Sequence, residues 1–115
     1  MNPIELEQRN LCKIHNVEFY PSLHDQRLGI SDNAQSGELP INGLRHLPVY
    51  GTCGWYIWAG TEMSHATDFF KPIHVFHLYD TFPDVLRFLG LPPGWRFLLA
   101  PDHEDVWHDL SLLVE

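Results

Sequence analysis

Basic residues are scarce in this chain. Seven Lys and Arg stand against fifteen Asp and Glu in 115 residues, a formal net charge of −8. Phosphate contacts need a surplus of Lys and Arg, so nucleic acid is not an expected partner. An anionic membrane surface is disfavoured for the same reason. A cationic partner is favoured, because an acidic field speeds its encounter and rejects wrong partners; the alternative is that the charge serves only to keep the protein soluble. Cysteine is scarcer still. Cys12 and Cys53 alone form neither a disulfide framework nor a structural zinc set, and both are predicted to be free thiols in a reducing cytoplasm. No run approaches the ~20 apolar residues of a membrane span. The stretch from Met1 to Asn10 lacks the basic start and apolar run of a secretory leader. Nor is there a His-Glu-x-x-His pair, a Gly-x-Ser-x-Gly elbow, a phosphate-binding glycine loop or a dinucleotide fingerprint.

What is present is globular. Hydrophobic residues make up 44% and aromatics 13%, which separates the chain from disordered sequences. Its length fits one domain, residues 1–115, able to bury roughly 65% of the surface it exposes when unfolded. Asn2-Pro3 reads as an N-cap with Pro at the first helical position, and Ile4, Leu11 and Ile14 give the stripe of a helix over about 3–13. Residues 21–54 are densely punctuated by Gly, Pro, Asn and Ser. Short strands are predicted there at Arg27–Ile30 and Arg45–Tyr50, with a mobile loop around Asp32–Leu39. Gly54-Trp55-Tyr56-Ile57-Trp58-Ala59-Gly60 is the clearest strand. Its alternation sends Trp55 and Ile57 to one face, Tyr56 and Trp58 to the other. Asp80–Leu89 reads as a helix with Phe82, Val85, Leu86 and Leu89 as its stripe; Gly90 ends it. Trp95–Ala100 is a second strand, and Asp105–His108 a third that brings the chain back. The expected class is α+β, a small mainly antiparallel sheet with one or two packed helices.

Catalytic chemistry finds little support. Of eight histidines (15, 24, 46, 65, 74, 77, 103 and 108), His74 and His77 have a spacing that would place two imidazoles on one helix face as metal ligands. No zinc signature follows them, and surface or structural histidine is the preferred reading. No cofactor is expected. Cys53 precedes a buried-looking strand, so inert packing is expected over thiol catalysis. Arg96 points away from Trp95 and Phe97 and is expected to pair with an acid at 102–105 or to stack on an aromatic ring. From Phe97 onward there are five acids (Asp102, Glu104, Asp105, Asp109 and Glu115) and no Lys or Arg, so an ordered segment there forms a one-sign patch.

The run Gly54 to Glu62, the step Asp68-Phe69-Phe70, the segment His74–Leu78, the run Leu89 to Phe97 and Glu104-Asp105-Val106-Trp107 together resemble a family of bacterial immunity proteins. It is number thirty-three of the polymorphic-toxin systems, formerly a domain of unknown function. The similarity covers about residues 43–109. The resemblance implies an α+β domain without catalytic residues, in the cytoplasm, that binds and blocks a cognate toxin. On that reading Glu62, Asp68, Asp102, Glu104 and Asp105 face a basic toxin, with Trp58 or Trp107 as a buried aromatic anchor. The alternatives are a small metal-dependent enzyme using His74, His77 and a carboxylate such as Asp80, and an adaptor or oligomerisation domain. A homodimer is left open.

Overall fold

The computed structural model describes residues 2–64 and 66–114, so His65 and Glu115, both singled out above, lie outside the described residues, as does Met1. The fold is α+β. Helix α1 (Pro3–Ile14) begins where the sequence places it, with the Asn2 side chain accepting from the Glu5 N–H at 2.8 Å. Six strands follow: β1 (Arg27–Ser31), β2 (Ile41–Arg45), β3 (Thr52–Ala59), β4 (Phe70–His74), β5 (Trp95–Ala100) and β6 (His103–His108). They form one sheet in the order β4-β1-β3-β2-β5-β6. All neighbours are antiparallel except β1 and β3.

One face of this sheet carries the main core. Leu28, Ile30, Ile41, Trp55, Ile57 and Phe97 point into it, and Leu11, Cys12, Val85, Leu86 and Phe88 cover it. Each fully buried aliphatic side chain contributes about 1.5–3 kcal/mol. Helix α1 is also latched by polar contacts. Gln8 donates to the Leu86 carbonyl at 2.7 Å, and the Cys12 thiol donates to Gly90 at 3.3 Å. Burial pushes the Cys12 pKa up, against the pull of Arg45 and Arg9, which keeps the thiol protonated and inert.

Three expectations for the local elements need correction. The strand placed at Arg45–Tyr50 is instead Ile41–Arg45, and Pro48 and Gly51 belong to the loop after it. Asn42 and Gly43, counted among the punctuation of residues 21–54, fall inside this strand. Gly43 is mid-strand because the Phe97 ring across from it fills the space of a side chain, and a Cβ there would collide with that ring. The helix over Asp80–Leu89 is split into α3 (Leu78–Thr81) and a 3-10 helix at Pro83–Phe88. Phe82, at φ −157 and ψ 65, breaks it, since the proline ring drives its predecessor out of the helical region. The apolar stripe survives, with Val85, Leu86 and Leu89 all buried.

The segment expected to be a mobile loop is tied down as well. It contains a helical turn, α2 (Asp32–Gln35), capped by Ser31, whose hydroxyl accepts from the Ala34 N–H at 3.3 Å. The Asn33 amide reads the end of β3 in both directions, donating to the Ala59 carbonyl at 2.8 Å and accepting from its N–H at 3.3 Å. Ala34 is buried.

Arg45 closes β2 inside the core and is 0% exposed. No carboxylate pairs with it among the described residues. Its guanidinium donates instead to backbone carbonyls: Tyr20 at 2.7 Å, Cys53 and Leu91 at 2.8 Å, Leu89 at 3.3 Å and Pro21 at 3.4 Å. It also lies over the Tyr20 ring at 4.7 Å. Burial lowers its pKa to about 10, which leaves it charged at neutral pH.

Candidate partner-binding surface

The second face of the sheet is only partly covered. Trp58 and Leu44 point to it and pack with Leu112, Phe69 and Phe70 in a small separate cluster. Leu112 comes from a 3-10 helix at Leu110–Leu113 that folds back after β6. Trp58 is therefore 4% exposed, a core residue with no surface to offer a partner. Trp107 sits directly opposite Arg96 and is half-buried beneath its guanidinium, 5.3 Å away.

Arg96 does pair with an acid, but the acid is Asp109, at 3.1 Å. Arg96 faces Trp107 in register, and Asp109 lies two residues beyond Trp107, just past the end of β6. Ser111 donates to Asp109 through both its hydroxyl, at 2.6 Å, and its N–H, at 3.1 Å. The Ser111 hydroxyl first, and then Arg96, hold the Asp109 carboxyl below the usual carboxylate range. The folded carboxyl thus binds its proton less tightly than the unfolded chain does. Its stabilising contribution is full above about pH 3.9 and is lost as pH falls through the folded value. Asp109→Asn is expected to lack this dependence. In urea titrations the stability gap between the parent protein and Asp109→Asn narrows from about pH 6 to about pH 3. A gap that stays constant across that range removes Asp109 as an acid-labile tie.

The predicted acidic residues lie along one end of the sheet, spread from its β4 edge to its β6 edge. Pairings place Ser31, Ile41, Ala59, Phe70 and Leu99 side by side there, with the turn between β5 and β6 just beyond. Glu62 and Asp68 stand on the connection from β3 to β4, Asp102 on the β5–β6 turn, and Glu104 and Asp105 at the start of β6; all are exposed. Strand alternation splits the last two. Asp105 shares the Trp107 face, while Glu104 points to the opposite face and is bound to Arg87 through two oxygens. Sequence reasoning missed other acids at this end: Asp32, which opens the short helix α2, Glu38 after it, and Glu7 and Asp84, brought in by α1 and the Pro83–Phe88 helix. Among the described residues, only Glu5, Glu104 and Asp109 of the acids form ion pairs. The end is thus rich in unneutralised negative charge, and Lys71 on β4 stands there without an ion pair among the described residues.

A groove of about 700 Å³ opens at this same end. Its walls are largely apolar: Ile4, Leu39, Ile41, Phe82, Pro83, Leu99, Ala100 and Pro101, with Glu7, Asp84 and Arg87 among them. None of the apolar wall residues was legible as a site, because they come from four separate stretches of the chain and none stands in a motif.

The far end of the sheet has another character. Arg27, Thr52 and His74 meet there. The loop from β2 to β3 projects beyond them with Leu47 50%, Val49 69% and Tyr50 102% exposed. Thr52 fastens this loop, its N–H and hydroxyl donating to the Val49 carbonyl at 2.9 and 3.0 Å.

His74 and His77 are separated by 6.0 Å between ring centroids, and each lies against Phe76. Among the described residues no group of three or more His, Cys, Asp or Glu side chains could hold a metal ion, so Asp80 does not complete a site with them. No helix among the described residues is long and apolar enough to cross a membrane.

The sequence profile of the Imm33-like domain matches residues 7–109. No curated protein and no solved structure matches the chain.

Proposed function

We propose, since the chain belongs to the Imm33-like domain family, that it is an immunity protein that binds and neutralises a cognate bacterial toxin in the cytoplasm, without catalysing a reaction itself. The observation that supports this reading beside the family match is the row of exposed acids, most without an ion-pair partner among the described residues, along one end of the sheet. Carboxylates of one sign along one rim set up a negative field that a partner of opposite sign would meet favourably. A basic toxin surface is the complement. The Trp58 anchor proposed from the sequence is withdrawn, since that ring is buried. Trp107 keeps only a partial role as a platform under Arg96.

Co-expression with the toxin encoded beside its gene tests the reading. Protection of the host cell and a complex that survives purification are expected; a toxin that kills unimpeded and forms no complex ends it. Within a complex, Asp102→Lys with Asp105→Lys is expected to slow association by roughly tenfold at low salt, with a smaller change in dissociation. An association rate indifferent to both charge and salt removes the acidic end from the interface.

A further inference from the structure

We infer that the groove beside the acidic end is the docking slot for one kind of partner segment: apolar side chains flanked by Lys or Arg. The inference rests on the toxin-binding reading and narrows it to a place and a chemistry.

Two features select the occupant. First, the walls are largely apolar, with Ile41, Phe82 and Leu99 among them and Leu39 half exposed. An apolar side chain entering there leaves water on favourable terms. Second, the polar groups on the walls are not balanced. Arg87 is already held by Glu104. Glu7 and Asp84 have no basic partner among the described residues. Glu38 and Asp102 follow Gly37 and Pro101 of the wall in the chain. An acidic segment would be repelled. A second copy of this chain would bring its own surplus of −8 to the contact. A basic segment gains from both the walls and the rim.

The probe is a synthetic amphipathic peptide of Leu and Lys at helical spacing, titrated into the isotopically labelled full chain. A matching Leu and Glu peptide is the control. The Leu/Lys peptide is expected to shift resonances of Gly37, Leu39 and Ala100. Its affinity is expected to fall roughly tenfold on raising salt from low to physiological strength, and the Leu/Glu peptide is expected not to bind. Leu39→Lys, at a half-exposed position where folding is preserved, is expected to weaken the Leu/Lys peptide by roughly tenfold. Shifts centred elsewhere, or equal binding of the two peptides, overturn the assignment. So does self-association of the parent chain that Leu39→Lys abolishes, which gives the slot to a second copy. Failure of the slot is separable from failure of the inhibitor reading. Toxin neutralised equally well by the parent and by Leu39→Lys removes the slot and leaves the inhibitor. A slot that takes the Leu/Lys peptide in a chain that never protects against toxin does the reverse.

Discussion

Arg45→Met is expected to destabilise the protein by on the order of 3–5 kcal/mol in urea unfolding. For a domain of this size that is a large share of the total. Methionine matches the apolar stem of arginine but donates nothing, and the carbonyls of Tyr20, Pro21, Cys53, Leu89 and Leu91 lose their common donor. These carbonyls come from segments far apart in the chain: the approach to β1, the start of β3, and the turn that follows the Pro83–Phe88 helix. One side chain holds the three together. Arg45→Lys keeps the charge but concentrates its donors on one nitrogen, which cannot span that set. It is expected to lose about half as much. Because burial brings the Arg45 pKa down only to about 10, the folded and unfolded states hold the same proton at neutral pH. The deficit should therefore be equal at about pH 6 and about pH 8. A loss under about 1 kcal/mol for Arg45→Met would show that the carbonyls find water or each other.

The contact between Gly43 and Phe97 should give the next largest effect. Phe97 lies flat on Phe88, with centroids 4.2 Å apart and planes 5° from parallel, and it touches Trp55 as well. Phe97→Ala is expected to cost about 3–5 kcal/mol. Gly43→Ala is expected to cost about 1–3 kcal/mol, because the added methyl lands on the ring and the ring has no room to retreat. The two costs should not add. With Phe97 already cut to alanine, the methyl at position 43 meets empty space, and the double variant should recover at least about 1 kcal/mol of the sum. Strict additivity would mean that the strand, not the ring, resists the methyl.

The same pair shows why parts of the fold were legible in the sequence and others were not. Strands β3 and β5 announced themselves because large aromatic and branched residues run between glycines and prolines. Strand β2 did not, since Asn42-Gly43 carries the signature of a turn. Only knowledge of what stands on the neighbouring strand turns that glycine into a strand residue. The Asp80–Leu89 helix was misjudged in continuity, not in its buried face: Pro83 acts on Phe82 locally, whereas the stripe is set by the core. At the candidate site, the surplus of acid was plain from counting. Its placement along a single end was not, because Glu62, Asp68 and Asp102 are brought to that end only by the sheet topology. Arg45 gave no signal at all. A lone arginine near a turn looks solvated until its carbonyl partners, tens of residues away in the chain, are folded around it.

The two ends of the sheet differ in a way that bears on approach as well as contact. One end carries most of the unpaired carboxylates, and the other holds Arg27, with Asp25 near it, and an apolar loop tipped by Tyr50. Such a molecule carries a lengthwise electric moment and feels a torque in any field before it touches anything. A positively charged surface, whether protein or ion-exchange matrix, turns it acid-first on arrival. Molecules captured on such a matrix should therefore stand in one orientation, with Tyr50 pointing outward to the solvent.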